Sequence, residues 1–377
     1  MTRPGEPLLL AEPSRFTAWS RGMARVGLAT LGLALLASFE ALGASGGEPG
    51  DPTLVGAAAE AMRGGIGYYE AAVGPVRGGG ATPSAWNVPM PLTALIGARL
   101  PEGALATLLY ALASVAFLVW WSRLRTAIGG RYGPALIGLP LAIGLAPFFQ
   151  PSLGHVVQSM AEPDPYAPAS RLYSPELWAG LLVALSLGFR SRARWVEAAA
   201  LGLTAAVAHV GAAVYVAVMA MMAFRSGARR EAAGWLLASA LTGGAFWTHG
   251  LAVARVAGPA DASAWDRIGL TGPGGFVRDA AEAGALGLAP LAVAAPLATL
   301  ALFGWTAWRS EQASRVAATL GAYALLFCLI PDLDPTLALI PAALLPVGLA
   351  FAPDGLRDLV RAAAGRRRRI TVTRVAR

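Results

Sequence analysis

Residues 190–230 read RSRARWVEAAALGLTAAVAHVGAAVYVAVMAMMAFRSGARR, and this stretch decides how the chain crosses a membrane. Positions 195–224 are almost wholly apolar, yet arginines cluster at both ends, Arg190 to Arg194 and Arg225 to Arg230. At 1.5 Å per residue a single helix over the apolar part would be about 45 Å long. It would carry its two arginine clusters to opposite faces of a bilayer. Two short helices meeting near Ala208-His209-Val210-Gly211 keep both clusters on one face. Backbone that turns inside a membrane must be covered by protein or line a wet cavity. His209 is therefore expected at a sheltered, partly polar turn.

The same charge logic extends outward. All 30 basic residues are arginine, and 23 of them fall in six segments: Arg3 to Arg25, Arg123 to Arg131, Arg190 to Arg194, Arg225 to Arg230, Arg309 with Arg315, and Arg357 to the end. The segments between hold Asp51, Glu60, Glu70, Glu162, Asp164, Asp261, Asp266, Asp279, Asp332 and Asp334. Short cytoplasmic loops concentrate basic residues, so the first set is expected inside and the second outside. Apolar runs at 23–43, 103–121, 133–149, 176–189, 233–256, 283–306, 316–331 and 336–352 are candidate spans, a full crossing needing about 20 residues. With the two short helices, the sequence predicts an all-α, polytopic transmembrane bundle of about ten crossings. It divides into a cytoplasmic N-terminal segment (1–22), a transmembrane domain (23–352, first outer loop 44–100) and a basic cytoplasmic tail (353–377). Residues 23–43 also fit a signal peptide cleaved near Ala44, which would leave the later topology unchanged.

Composition bounds the class. Hydrophobic residues make up 56%, charged residues 14%, and the mean hydropathy is +0.55, too apolar for a soluble globular chain of this size; the expected location is the cell (inner) membrane, with both termini cytoplasmic. The net charge of +8 does not point to nucleic acid, because no basic stripe carries interleaved aromatics. Arg366, Arg367, Arg368 and Arg369 suit anionic lipid headgroups on the cytoplasmic face. One cysteine, Cys328, excludes a disulfide framework and a Cys-based metal site. The spacing of His155, His209 and His249 supports no metal, since no two lie four apart on one helix.

Three outer segments are long. The first, 44–100, holds Asp51-Pro52, an amphipathic stretch at 53–63 with Glu60 and Arg63 on its polar side, then Gly65-Ile66-Gly67-Tyr68-Tyr69-Glu70 and Trp86-Asn87-Val88-Pro89-Met90-Pro91. The amphipathic stretch is expected to lie along the interface. The second, 150–175, holds His155, Glu162, Asp164, Tyr166 and Arg171. The third, 257–282, holds Trp265, Asp266 and Arg267. Loops this long are seldom mere connectors.

An acid after the first span, an interfacial helix, a Gly-x-Gly-Tyr-Tyr-Glu-Ala run, a Pro-rich segment and later paired short helices follow in order. That order resembles the GT-C superfamily, multi-spanning glycosyltransferases that use polyprenyl-phosphate sugars. The local matches are Asp51, Gly67-Tyr68-Tyr69 and Pro89-Met90-Pro91-Leu92, then Glu176-Leu177-Trp178-Ala179-Gly180 and Gly348-Leu349-Ala350-Phe351-Ala352-Pro353. The resemblance implies a lipid-linked sugar donor, an extracytoplasmic acceptor, no cofactor, and Asp51 as general base. It implies substrate contacts from Tyr68, Tyr69, Glu70, Trp86, Arg171, His209 and His249. The chain departs from the pattern at Asn87-Val88 and Ala208-His209, where relatives carry charged residues.

Each of these residues has a plainer reading. Asp51 before Pro52 is also an ordinary helix cap. Tyr68, Tyr69 and Trp86 fit an aromatic interfacial belt as well as a sugar face. Asp332-x-Asp334 reads as a solvated turn before Pro335. At the level of function, a transporter or flippase of a lipid-linked or small polar substrate is the rival reading, and a non-catalytic relative the third.

Overall fold

The helical ladder stops at Ala208 and resumes at Ala213, with His209 in an extended conformation and a 3-10 turn over Val210–Ala212. The break lies where the two arginine clusters require it. The computed structural model describes residues 7–44, 53–79, 82–129, 133–158, 172–257, 272–330 and 333–365, and its assigned elements are helical. Asp51, Arg171 and Arg366 to Arg369 lie outside the described residues. So do Glu162, Asp164, Tyr166, Asp261, Trp265, Asp266, Arg267 and Asp332.

The chain opens with α1 (Arg21–Ala37), capped by the Ser20 side chain on the Met23 N–H. Three short helices follow, α2 (Leu54–Arg63), α3 (Tyr68–Gly78) and α4 (Leu92–Arg99). Next come α5 (Glu102–Leu124), α6 (Gly133–Gln158) and α7 (Pro175–Phe189). The paired short helices are α8 (Trp195–Ala208) and α9 (Ala213–Arg225), and α10 is Arg229–Ala257. The last elements are α11 (Gly274–Glu282), α12 (Leu291–Ala307), α13 (Glu311–Leu329), α14 (Leu339–Ala342) and α15 (Ala352–Ala363). Among the described residues, four helical segments are long and apolar enough to cross a membrane: 21–42, α5, α10 and α13. Shorter apolar helices are Ala135–Phe148 within α6, α7, α8, Val210–Arg225 and α12.

Direct contacts gather the arginine-rich segments at one end. Leu10 pairs with Ile128, and the Ala11 N–H donates to the Ala127 carbonyl at 2.8 Å. Asp354 of α15, fully buried, accepts the backbone N–H groups of Leu8, Leu9 and Leu10 at 2.6 to 2.7 Å. Arg15 reaches the Trp308 carbonyl and Ser314, while Arg123 reaches the Arg190 carbonyl. Arg190 grips Glu231 bidentately at 2.8 and 3.0 Å and also bonds Glu311 at 3.0 Å. A forked, buried pair of this kind fixes how α7, α10 and α13 meet, because breaking it strands a charge.

Three span boundaries differ from expectation. The run 336–352 is not one helix. Pro335, Pro341 and Pro346 break it into a 3-10 turn, α14 and a second 3-10 turn over Leu345–Ala350. Nearly all of it is buried, as irregular backbone in a membrane must be. Glycines make the cover close: a methyl at Gly144, Gly180 or Gly304 would strike the backbone of Ala343, Leu339 or Gly348. Trp305 Nε1 donates to the Leu344 carbonyl at 2.8 Å, supplying a hydrogen bond that the broken ladder lacks. The run 283–306 becomes a helix only from Leu291, after Pro290, because α11 ends just before it and a 3-10 turn over Ala285–Leu288 occupies its start. Helix α6 continues to Gln158 and takes His155 into its last turns, nine residues past the expected end at 149.

Candidate functional site

At the end opposite the arginine clusters, 53–79 and 82–99 fold as a cap. Helix α2 is amphipathic, as expected, with Glu60 and Arg63 ion-paired on its polar side. Arg63 also donates to the Gly97 carbonyl at 2.8 Å and to the Tyr173 hydroxyl at 3.1 Å. The Tyr173 ring lies against Gly56 and Gly97, where a larger side chain on α4 would collide with it. The cap is thereby tied to the start of α7.

Tyr68 and Tyr69 open α3 after Gly67. Tyr68 Oη donates to the Pro89 carbonyl at 2.5 Å, fixing the Pro-rich segment. Tyr69 Oη lies 3.3 Å from His249 Nδ1, and His249 Nε2 lies 3.0 Å from the Val88 carbonyl. A carbonyl only accepts, so Nε2 carries the proton and Nδ1 receives the tyrosine hydroxyl. Burial raises the pKa of both phenols, which keeps them donors. Trp86, more than half exposed, packs on Phe246 with ring centroids 4.7 Å apart. Phe246 in turn neighbours His249 at 6.2 Å. Four expected site residues, Tyr68, Tyr69, Trp86 and His249, are thus brought together around α10. His249 is 2% exposed and engaged at both nitrogens, so it holds the cap in place. Glu70 is exposed in the first turn of α3, where its charge complements the helix dipole.

His209 belongs to a second constellation. Its Nε2 is 3.2 Å from Glu176 Oε1, and its Nδ1 accepts the Gly211 N–H at 3.0 Å. The proton therefore sits on Nε2 and is donated to the carboxylate, an imidazole–carboxylate pair with a fixed tautomer. Ser174 Oγ donates to Glu176 Oε2 at 2.7 Å while capping α7 through the Leu177 N–H. The carboxylate sits in the first turn of α7, where the helix dipole favours its charge. Both side chains stay partly open, 14% exposed for Glu176 and 19% for His209. The carboxylate accepts from His209, from Ser174 and from the backbone N–H of Glu176 itself, which leaves one of its four lone pairs for a proton or a further donor.

Glu176 and the break at His209 lie 33 positions apart in the sequence, and nothing in that spacing signals that they pair. The available signal was an ionisable residue at each of two sheltered turns. Among the described residues no group of three His, Cys, Asp or Glu could hold a metal. Comparison with protein-family models, with curated proteins and with solved structures finds no significant match.

Proposed function

We propose that this chain is a polytopic membrane glycosyltransferase of the GT-C type. It would move a sugar from a polyprenyl-phosphate donor to an acceptor at the acidic end, outside the cytoplasm. The observation that carries the reading is the surface built there: a partly open carboxylate–imidazole pair beside a folded aromatic cap, on a bundle whose arginines gather at the other end. Glu176 and His209 are ionisable residues among the spans of an apolar bundle, and such residues mark a site of action. The arginine end takes the cytoplasmic side, about ten crossings return both termini to it, and the donor reaches the opposite end through the membrane.

In this reading Asp51, just before the cap, removes the acceptor hydroxyl proton. The freed oxygen attacks the anomeric carbon, the bond from that carbon to the phosphate oxygen breaks, and polyprenyl phosphate leaves with the electron pair. General-base assistance of this kind contributes about 10²- to 10⁴-fold. Arg171 is the cation assigned to the leaving phosphate, and Glu176–His209 orients acceptor hydroxyls. Reconstituted protein given a polyprenyl-phosphate sugar should release polyprenyl phosphate, and Asp51→Asn should abolish that release while leaving helicity and melting unchanged. Full turnover by Asp51→Asn would remove the assignment.

A second reading has its own observation. The break at 208–212 faces the broken run 335–350: Gly211 abuts Leu337, and Tyr323 Oη donates to the Gly211 carbonyl at 3.0 Å. Broken helices that meet inside a bundle are a transporter device. Substrate-dependent flux in proteoliposomes, indifferent to Asp51→Asn, would favour it.

A further inference from the structure

A groove of about 650 Å³ lies between α1, α12, α13 and α15. Its α1 wall runs from Met23 to Ala34, about 16 Å at 1.5 Å per residue, close to half of a hydrocarbon core about 30 Å thick. The wall is mostly apolar: of its three threonines, Thr299 and Thr306 turn their hydroxyls onto the Ala295 and Phe303 carbonyls of their own helix, and Thr30 lies on α1. At the arginine end the groove is floored by aromatics, with Phe16 stacked on Phe303 at 5.3 Å.

Arg15 immediately precedes Phe16, which lines that floor. Its Nη2 donates to Ser314 Oγ at 2.7 Å and to the Trp308 carbonyl at 3.4 Å, spanning the turn between α12 and α13. Among the described residues no carboxylate lies within ion-pair distance of it, unlike Arg63, Arg190, Arg278, Arg315 and Arg357. A guanidinium carries five donors, and only one nitrogen is engaged here. An apolar slot one leaflet deep, ending on a cation without an acidic partner, has the chemistry of an anionic amphiphile.

We propose that this groove holds an acyl chain of an anionic phospholipid from the leaflet at the arginine end, with its phosphate on Arg15. The groove lies at the end away from the cap, so the lipid is a bound structural partner and not the donor of the transferase reading. Gly321 lines the groove, and a Cβ there meets nothing within 4 Å. A leucine at that position therefore starts from a Cβ that strikes no protein atom and adds its bulk to the lining of the slot.

Native mass spectrometry of the full chain, in detergent with equal phosphatidylglycerol and phosphatidylcholine, tests the assignment. The wild type should retain phosphatidylglycerol preferentially. Gly321→Leu should lose both lipids while melting normally. Arg15→Gln should keep lipid but lose roughly five-fold of the preference, as expected for one arginine at a membrane surface, and Arg15→Lys should restore most of it. Undiminished lipid on Gly321→Leu would overturn the groove. Unchanged headgroup preference in Arg15→Gln, or no preference in the wild type, would overturn the phosphate contact.

Discussion

Tyr69 and His249, 180 positions apart, meet at 3.3 Å, and that contact joins the cap to α10. Removing the hydroxyl leaves a buried imidazole nitrogen without its donor, at a cost of about 1 to 3 kcal/mol. Tyr69→Phe should therefore lower the melting temperature in detergent and speed amide exchange across 64–90. Exchange in α8 and α9 should stay as in the wild type. Uniform acceleration over the whole bundle would contradict the idea that this bond serves the cap.

Asp354 makes the corresponding bracket at the arginine end. Three backbone N–H groups converge on one buried carboxylate, with Arg357 at 3.3 Å. Asp354→Asn replaces one acceptor oxygen by a donor and removes the charge that strengthens all three bonds. The loss should be about 2 to 5 kcal/mol. Proteolysis should then cut within 7–14, which the wild type protects. Equal protection in the variant would show that Leu10 and Ile128 hold the segment unaided.

At Gly348 the constraint is steric. A methyl there would overlap the Ala301 carbonyl, which belongs to a helix backbone and cannot step aside. Gly348→Ala is expected to abolish monodisperse protein. Gly22→Ala in α1, where a Cβ meets nothing within 4 Å, serves as the control. The control should match or slightly exceed the wild type, since glycine in a helix costs about 1 kcal/mol relative to alanine.

These sites show how much was legible in the sequence. The break at His209 was, because arginines at 190–194 and 225–230 must share a side and a straight helix forbids it. The amphipathic α2 was legible from local chemistry. The broken run 335–350 was not: its prolines look tolerable in an apolar stretch, and only the glycines of α6, α7 and α12, far away in the chain, allow an irregular backbone to be covered. The aromatic cap was visible as an inventory of Tyr68, Tyr69 and Trp86, but their partners Pro89, Phe246 and His249 depend on packing. Glu176 and His209 were each noticed, and nothing in their spacing announced the pair.

Asp279 yields the pH dependence. It is buried on α11, and burial, with Glu282 and Asp334 nearby, raises its pKa to about 6 despite the neighbouring Arg278. The folded state therefore holds this proton more tightly than the unfolded chain, whose carboxyl has an ordinary value of 3.8. Its stabilising contribution is complete below about pH 4 and is lost as pH rises through 6. A shift of about two units corresponds to about 2 to 3 kcal/mol. The melting temperature should fall between pH 5 and pH 7, and Asp279→Asn, which keeps the shape of the protonated form at every pH, should flatten that slope. At pH 7 the variant should be the more stable protein. A wild-type slope that persists in Asp279→Asn would assign the dependence to another group.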